Sequence, residues 1–432
     1  MSESYPEKLE VVPLKNVPKT MVSVPGSKSI TNRALVLAAQ LFDDTVSCRI
    51  RGALKSEDTD VMIDSLRRLG FLVAEHDDAS VTVSRPPGSD LIPCANADLF
   101  VANSGTTMRF LTAFVGLGTG RYRLDGIPRM RKRPIEDLLV ALRQLGVNAR
   151  SETGTGCPPV IVEGNRMRGG HARIKGDLSS QFLSALLLVA SSAWNEVVIE
   201  VEGPLVSEPY VEMTVRMLRQ FGIDVHSEGG RLFRIWPMSQ LGLEEYQVEP
   251  DASAASYFFA AAAVTGGTVT VAGLSRQSLQ GDVGFVDILE QMGCRVESCS
   301  SGITVHGRPL RGVDVDMNAI SDTVMTLGAV ACFAVGPTTI RNVAHIRHKE
   351  TDRIAALVTE LRKVGATVDE FADGLTITPG PIYGAEIDTY NDHRMAMSLA
   401  LVGLKVPGVV IRNPGCVAKT YPGFWADLDR LR

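Results

Sequence analysis

Leu66-Arg-Arg-Leu69-Gly70, running on into Phe71-Leu-Val-Ala74, decides the reading of the fold because the chain repeats it. The same order of apolar residue, two polar residues, apolar residue and Gly returns at Leu142–Gly146, Leu218–Gly222, Leu289–Gly293 and Leu361–Gly365. Apolar residues three apart with polar ones between them make the last turn of an amphipathic helix. A Gly placed there ends the helix in a left-handed cap. The residues that follow, at Phe71, Val147, Ile223, Cys294 and Ala366, begin short alternating runs that read as strands. The five glycines, at 70, 146, 222, 293 and 365, stand 76, 76, 71 and 72 residues apart, so the repeat is one α/β unit of seventy-odd residues. A sixth glycine would fall beyond Arg432, and the expectation is that the N-terminal twenty or so residues complete the sixth unit. The predicted fold class is α/β, in two lobes of three repeated units each. Residues 23–247 make the first lobe, and 1–22 with 248–432 the second. The polar, poorly periodic stretch from Pro237 is the candidate hinge.

The length of 432 residues is enough for several cores. With 45% hydrophobic and 22% charged residues the composition is that of a globular chain, which excludes disorder as the main state. Lys+Arg number 44 against 49 Asp+Glu, a net charge of -5, and this argues against a dedicated nucleic-acid binder and for small partners. The seven cysteines are odd in number and scattered, with no C-x-x-C pair, so neither a disulfide framework nor a zinc site is suggested and a reducing compartment fits. The first residues lack the apolar core of a secretory signal, and apolar runs such as Ser184–Ala193 fall short of the roughly 18 residues a membrane span needs. The expectation is a cytoplasmic protein.

Polar clusters stand where helices should begin. Pro25-Gly-Ser-Lys-Ser29 precedes a helix expected from Ile30 to Gln40, with Ser29 and Arg33 four apart on one face. Unpaired backbone N–H groups and the positive end of the dipole, together with Lys28 and Arg33, would suit an anion. It is not a P-loop, because Ser27 rather than Gly precedes Lys28. Plain helix capping by Ser27 and Ser29 accounts for the segment equally well. Asn103-Ser-Gly-Thr-Thr-Met-Arg109 leads into Phe110–Leu117, and Gly105 would let a ligand approach the backbone. Arg121, Arg123, Arg129, Arg131, Lys132 and Arg133 put six cations in thirteen residues, for which a solvated basic face is the simplest account. Asp177-Leu-Ser-Ser-Gln181 again brings hydroxyls and an amide to a helix start. In the second lobe Ser321-Asp322 opens a helix expected over Thr323–Val335, Lys349–Arg353 opens Ile354–Val364, Asn391–Arg394 opens Met395–Leu404, and Lys419 sits in a loop before Pro422. Each could be a cap or a surface ion pair. Together they suggest positive helix ends gathered on a ligand with several negative charges.

The segments Pro-Gly-Ser-Lys-Ser-Ile-Thr-Asn-Arg (25–33), Asn-Ser-Gly-Thr-Thr-Met-Arg (103–109), Pro-Arg-Met-Arg-Lys-Arg-Pro (128–134), Ser-Ser-Gln-Phe (179–182), Lys-Glu-Thr-Asp-Arg (349–353), Asn-Asp-His-Arg-Met-Ala (391–396) and Ala-Lys-Thr-Tyr-Pro (418–422) resemble, in order and over nearly the whole chain, those of the 5-enolpyruvylshikimate-3-phosphate synthase family. The resemblance implies the inside-out α/β barrel of enolpyruvyl transferases, with the active-site cleft between the lobes. It implies transfer of the carboxyvinyl group of phosphoenolpyruvate to the 5-hydroxyl of shikimate 3-phosphate, with release of phosphate, in aromatic amino acid biosynthesis. No metal or organic cofactor and no nucleic-acid or membrane partner belongs to it, and a monomer is expected. By the same resemblance Lys28, Ser29, Arg33, Ser179, Ser180, Gln181, Ser207, Asp322 and Lys349 would hold shikimate 3-phosphate. Lys28, Gly105, Arg129, Gln181, Arg353, Arg394 and Lys419 would hold phosphoenolpyruvate. Asp322, Glu350 and Lys28 would be catalytic, the carboxylates moving protons and Lys28 standing near the departing phosphate.

The chain departs from that pattern in places. His345 stands where some relatives carry an Asn that contacts the sugar-like substrate, and His348 precedes Lys349 where an aliphatic residue is more usual, so solvent is its expected environment. Ala102 replaces a common Gly, and Phe110 stands where some relatives have Pro. The nearest rival enzyme, UDP-N-acetylglucosamine enolpyruvyl transferase, usually carries a Cys in the loop equivalent to 126–133, and this chain has none there. A non-catalytic phosphometabolite binder would explain the cations but not the accompanying carboxylates. RNA 3'-phosphate cyclase has related units, but the aromatic and basic interleaving of an RNA surface is missing.

Overall fold

The computed structural model describes residues 5–41, 46–238 and 242–432. They fall into two compact units, a continuous one of Gly26–Val248 and a discontinuous one of Met1–Pro25 with Glu249–Arg432. The continuous unit holds helices α1 (Lys28–Ala38), α2 (Glu57–Arg68), α3 (Gly105–Phe114), α4 (Glu136–Gln144), α5 (Ser180–Ala190) and α6 (Glu208–Gln220). The discontinuous unit holds α7 (Ala252–Thr265), α8 (Phe285–Gln291), α9 (Val324–Ala331), α10 (Arg353–Lys363), α11 (His393–Gly403) and α12 (Phe424–Asp429). In both, the odd-numbered helix of each repeat from α1 to α11 is buried along almost its whole length, whereas α2, α4, α6 and α10 bury one face. Helices therefore fill the middle and the sheets turn an outer face to water. Gly170–Lys175, for instance, alternates exposed and buried residues over most of its length.

The repeated glycine does what the spacing predicts. Gly70, Gly146, Gly222, Gly293 and Gly365 have φ of 92, 86, 86, 116 and 99°. In every copy the residue after the Gly donates its N–H back to the first apolar residue of the motif, as Phe71 does to Leu66 at 3.0 Å and Ala366 to Leu361 at 3.1 Å. Strands then start at Leu72, Asn148, Arg295 and Thr367, but in the third copy only at His226, three residues later than Ile223.

Each complete repeat makes a four-stranded sheet with one parallel and two antiparallel pairings. Asn96–Phe100 lies parallel to Arg121–Asp125, which pairs antiparallel with Val160–Glu163, and that with Asn148–Ser151. Two repeats borrow their first strand. Glu245–Gln247, from the far end of the continuous unit, lies parallel to Cys48–Arg51, and Lys19–Val22 lies parallel to Thr268–Ala272. In the sixth repeat Lys8–Val11 pairs antiparallel with Val409–Arg412, giving a sheet of three strands. The N-terminal segment thus supplies strands to two sheets of the discontinuous unit. The candidate hinge includes residues 239–241, which lie outside the described residues. Because Glu245–Gln247 still belongs to the continuous unit, the chain leaves that unit at Val248.

Several helices begin earlier than their apolar runs. Ser27 caps α1 and Ser104 caps α3, so these helices start at Lys28 and Gly105 rather than at Ile30 and Phe110. α9 ends at Ala331, short of the expected Val335, because Ala334–Val335 pairs as a strand with Leu310–Arg311. No helix among the described residues is long and apolar enough to cross a membrane.

Candidate active site

In the continuous unit the predicted residues gather at helix starts. Ser27 accepts the Ile30 N–H at 3.5 Å, and Lys28 and Ser29 follow it in the first turn of α1. The Lys28 ammonium stands 3.2 Å from the carboxylate of Asp58 in the first turn of α2. Arg33, 1% exposed, turns inward: its guanidinium donates to Thr214 Oγ1 (2.7 Å), the Ser29 carbonyl (2.9 Å), Ser184 Oγ (3.2 Å) and the Tyr210 carbonyl (3.3 Å), and lies over the Phe110 ring. Burial draws its pKa down to about 10. Arg33 therefore ties α1 to α5 and α6, whose starts carry the remaining predicted groups. Ser179 caps α5 by accepting from the Gln181 N–H, Ser180 is buried, and Gln181 is half-buried. Ser207, buried ahead of α6, has φ of 52° and ψ of 44°, a conformation that a β-substituted residue holds only under constraint from its surroundings.

Gly105 opens α3 against two guanidinium groups. A Cβ there would come within 2.6 Å of Arg133 Nη2 and 2.8 Å of Arg109 Nη1, so only Gly leaves these cations so close to the helix start. Arg133 also donates to the Asn103 carbonyl at 3.1 Å. The basic run divides accordingly. Arg123 and Arg131 are held by Asp125 and Glu152, Arg121 and Lys132 are exposed, Arg133 is buried beside Gly105, and Arg129 is half-buried just ahead of a 3-10 turn.

In the discontinuous unit the predicted residues form one linked cluster. Asp322, in a 3-10 turn before α9, meets Lys349 Nζ at 3.0 Å, Arg353 Nη1 at 3.1 Å and Arg394 Nη2 at 2.7 Å. Glu350 meets Arg353 Nη2 at 2.9 Å and Lys419 Nζ at 3.8 Å. Lys419 ends a 3-10 turn, Pro414–Lys419, rather than sitting in open loop. Four cations thus face the carboxylates Asp322 and Glu350 and a third, Asp392, which sequence reasoning treated only as part of a helix start. Asp392 is fully buried; it accepts from Arg353 at 2.8 and 3.3 Å and caps α11 through the Arg394 N–H at 2.9 Å. Burial works against the Arg353 charge, yet Asp392, Glu350 and Asp322 together hold its pKa above the usual arginine value. Lys349 goes the other way, lowered by burial despite Asp322.

His345 is buried, with Nε2 2.9 Å from Ser321 Oγ. Burial first, then the charge of Lys349, pulls its pKa down to about 3, so it is neutral at ordinary pH. His348 is exposed. Besides Asp392, sequence reasoning missed Asp58 and Ser253, whose hydroxyl lies 3.4 Å from Arg394 Nη2. Asp58 and Ser253, like Asp392, stand at helix starts, where capping explains a short polar residue without invoking a site.

The discontinuous unit sets paired carboxylates among cations, and the continuous unit places cations at glycine- and serine-rich helix starts, so each unit of this repeated α/β fold carries a cluster suited to handling anions, as in a transferase of phosphorylated substrates. Residues 15–428 match the EPSP synthase family (3-phosphoshikimate 1-carboxyvinyltransferase), and the chain belongs to that family. It is 49% identical over 423 residues to a 3-phosphoshikimate 1-carboxyvinyltransferase of Nostoc sp., covering 97% of this chain and 98% of that one. It is 45% identical over 435 residues to the chloroplastic enzyme of Arabidopsis thaliana, covering 95% of this chain and 82% of that one. The solved EPSP synthase of Acinetobacter baumannii superimposes with a TM-score of 0.79 at 26% identity, over 98% of both chains. The enolpyruvyl transferase NikO of Streptomyces tendae gives 0.77 at 20% identity, over 98% of this chain and 97% of that one, a likeness of fold.

Proposed function

We propose that the protein transfers the carboxyvinyl group of phosphoenolpyruvate to the 5-hydroxyl of shikimate 3-phosphate, giving 5-O-(1-carboxyvinyl)-3-phosphoshikimate and phosphate. The observation that carries this reading is the Asp322–Glu350 pair set among Lys349, Arg353, Arg394 and Lys419. Two substrates bearing phosphates and carboxylates need many cations, and arginine pairs with oxyanions through two parallel bonds. Holding them together then supplies much of the rate.

Addition needs a base and an acid. Asp322 takes the proton of the 5-hydroxyl as its oxygen bonds to C2 of phosphoenolpyruvate, and Glu350 gives a proton to C3, which becomes a methyl group. In the elimination Glu350 takes a proton back from C3, the C2=C3 bond re-forms, the C2–O bond to phosphate breaks with the electron pair leaving on phosphate, and Asp322 gives up to the phosphate the proton it took from the hydroxyl. Lys28 stands by that leaving group. Lys28, Ser29, Arg33, Ser179, Ser180, Gln181, Ser207, Asp322 and Lys349 hold the shikimate ester, Arg33 through the helix starts it braces. Lys28, Gly105, Arg129, Gln181, Arg353, Arg394 and Lys419 hold phosphoenolpyruvate. The protein acts as a monomer in the cytoplasm on these two small substrates. Asp322→Asn and Glu350→Gln should each lower kcat by about 100-fold or more, within the range general acid and base groups contribute. Near-normal turnover in either variant would remove that residue from its role.

A further inference from the structure

We propose that Asp58 is a positioning residue for this reaction: it holds the Lys28 ammonium at the start of α1 and competes for it with the departing phosphate. The inference rests on the proposed function for the role of Lys28 and deepens it. Asp58 and Lys28 are 3.2 Å apart, with side chains 4% and 14% exposed, so little water lies around the pair to screen it. The carboxylate is placed firmly. Ser56 and Thr59 close a capping box at the start of α2, with the Ser56 N–H donating to Thr59 Oγ1 at 3.0 Å. The Asp58 carbonyl accepts from Thr107 Oγ1 at 3.4 Å, in the first turn of α3 and two residues from Gly105. Asn32, on α1, donates to Thr106 Oγ1 at 2.7 Å. Side-chain bonds thus tie the N-terminal parts of α1, α2 and α3, and there the Asp58 carboxylate reaches Lys28.

An anion arriving at Lys28 meets this fixed negative charge. The same charge that keeps the ammonium in place between turnovers opposes tight binding of phosphate once it has formed. Asp58 touches no reacting atom in this account, and it moves no proton.

Asp58→Asn keeps the side chain's shape and removes its charge. Calorimetry with inorganic phosphate reads the competition without turnover. The variant should bind phosphate about fivefold more tightly than the parent, a difference of about 1 kcal/mol. In the assay with both substrates its kcat and KM for phosphoenolpyruvate should fall together, whereas a folding defect would lower apparent kcat by reducing the active fraction and leave KM unchanged. Asp58→Glu should return both constants toward the parent. In a Lys28→Met background Asp58→Asn should leave phosphate affinity unchanged, because the effect passes through Lys28. Phosphate binding in Asp58→Asn that is unchanged or weaker, or tightening that persists without Lys28, overturns the proposal. A parent that binds phosphate but releases none from the two substrates refutes the functional reading instead, and the calorimetry still decides the role of Asp58.

Discussion

His345 should make the protein lose stability in acid. Its ring is buried against Ser321, with Lys349, Asp322, Arg353 and His348 as the charged or titratable groups around it, and its folded pKa lies at about 3 against 6.5 for an unperturbed histidine. Between those values the unfolded chain binds a proton that the folded one refuses, so stability falls as pH falls. The contribution is complete above pH 6.5 and is eroded below it. At pH 5 the loss is about 2 kcal/mol, and from there it grows by about 1.4 kcal/mol per pH unit until the folded ring also protonates. Other groups titrate in this range, so the comparison is with His345→Gln, which keeps an amide near Ser321 and has no proton to gain. Urea denaturation of both proteins from pH 7.5 to 4.5 should give curves that run parallel above pH 7 and converge or cross below 6, the variant gaining about 2 kcal/mol on the parent by pH 5. Parallel curves over the whole range would refute the reasoning, for the ring would then be as easily protonated folded as unfolded.

Asp392→Ala leaves the buried Arg353 guanidinium to Glu350 and Asp322 alone, with its Nε–H unpaired, and uncaps α11, and should cost about 2–4 kcal/mol, whereas Asp392→Asn, which can still cap, should cost about 1 kcal/mol less. Urea midpoints of both variants within about 1 kcal/mol of the parent would contradict this. Among the cysteines, exposed Cys299 has its pKa lowered by a hydrogen bond with Ser301, while burial pushes Cys48 and Cys332 up to about 12. Iodoacetamide followed by peptide mass mapping should find Cys299 modified first and Cys332 only after unfolding; early modification of Cys332 would be the contrary result.

The fold was legible where its signal is local. A Gly that closes a helix, with the next residue bonding back five positions, leaves the same few letters in every repeat, and five copies at near-equal spacing define the unit. Strand pairing is not local. That Glu245–Gln247 would close a sheet begun at Cys48, or that Lys8 and Lys19 would start strands in two different sheets, depends on partners up to four hundred residues away. The site divides in the same way. Lys349, Glu350, Arg353 and Arg394 announce themselves as charged residues crowded at helix starts. Asp392 and Asp58 do not, because an acid in a first turn has a sufficient explanation in the helix itself. Arg33 shows what packing adds: its spacing from Ser29 reads as a cation on a helix face, and the folded chain also bonds it to Thr214, Ser184 and two carbonyls, which no local pattern announces.

The central claim is tested most directly by phosphate release from phosphoenolpyruvate by the purified protein, with chelator present, against shikimate 3-phosphate and UDP-N-acetylglucosamine as alternative acceptors. The account predicts release with the shikimate ester and none with the sugar nucleotide. Release only with the sugar nucleotide, or silence with both from protein that still binds phosphate, would contradict it.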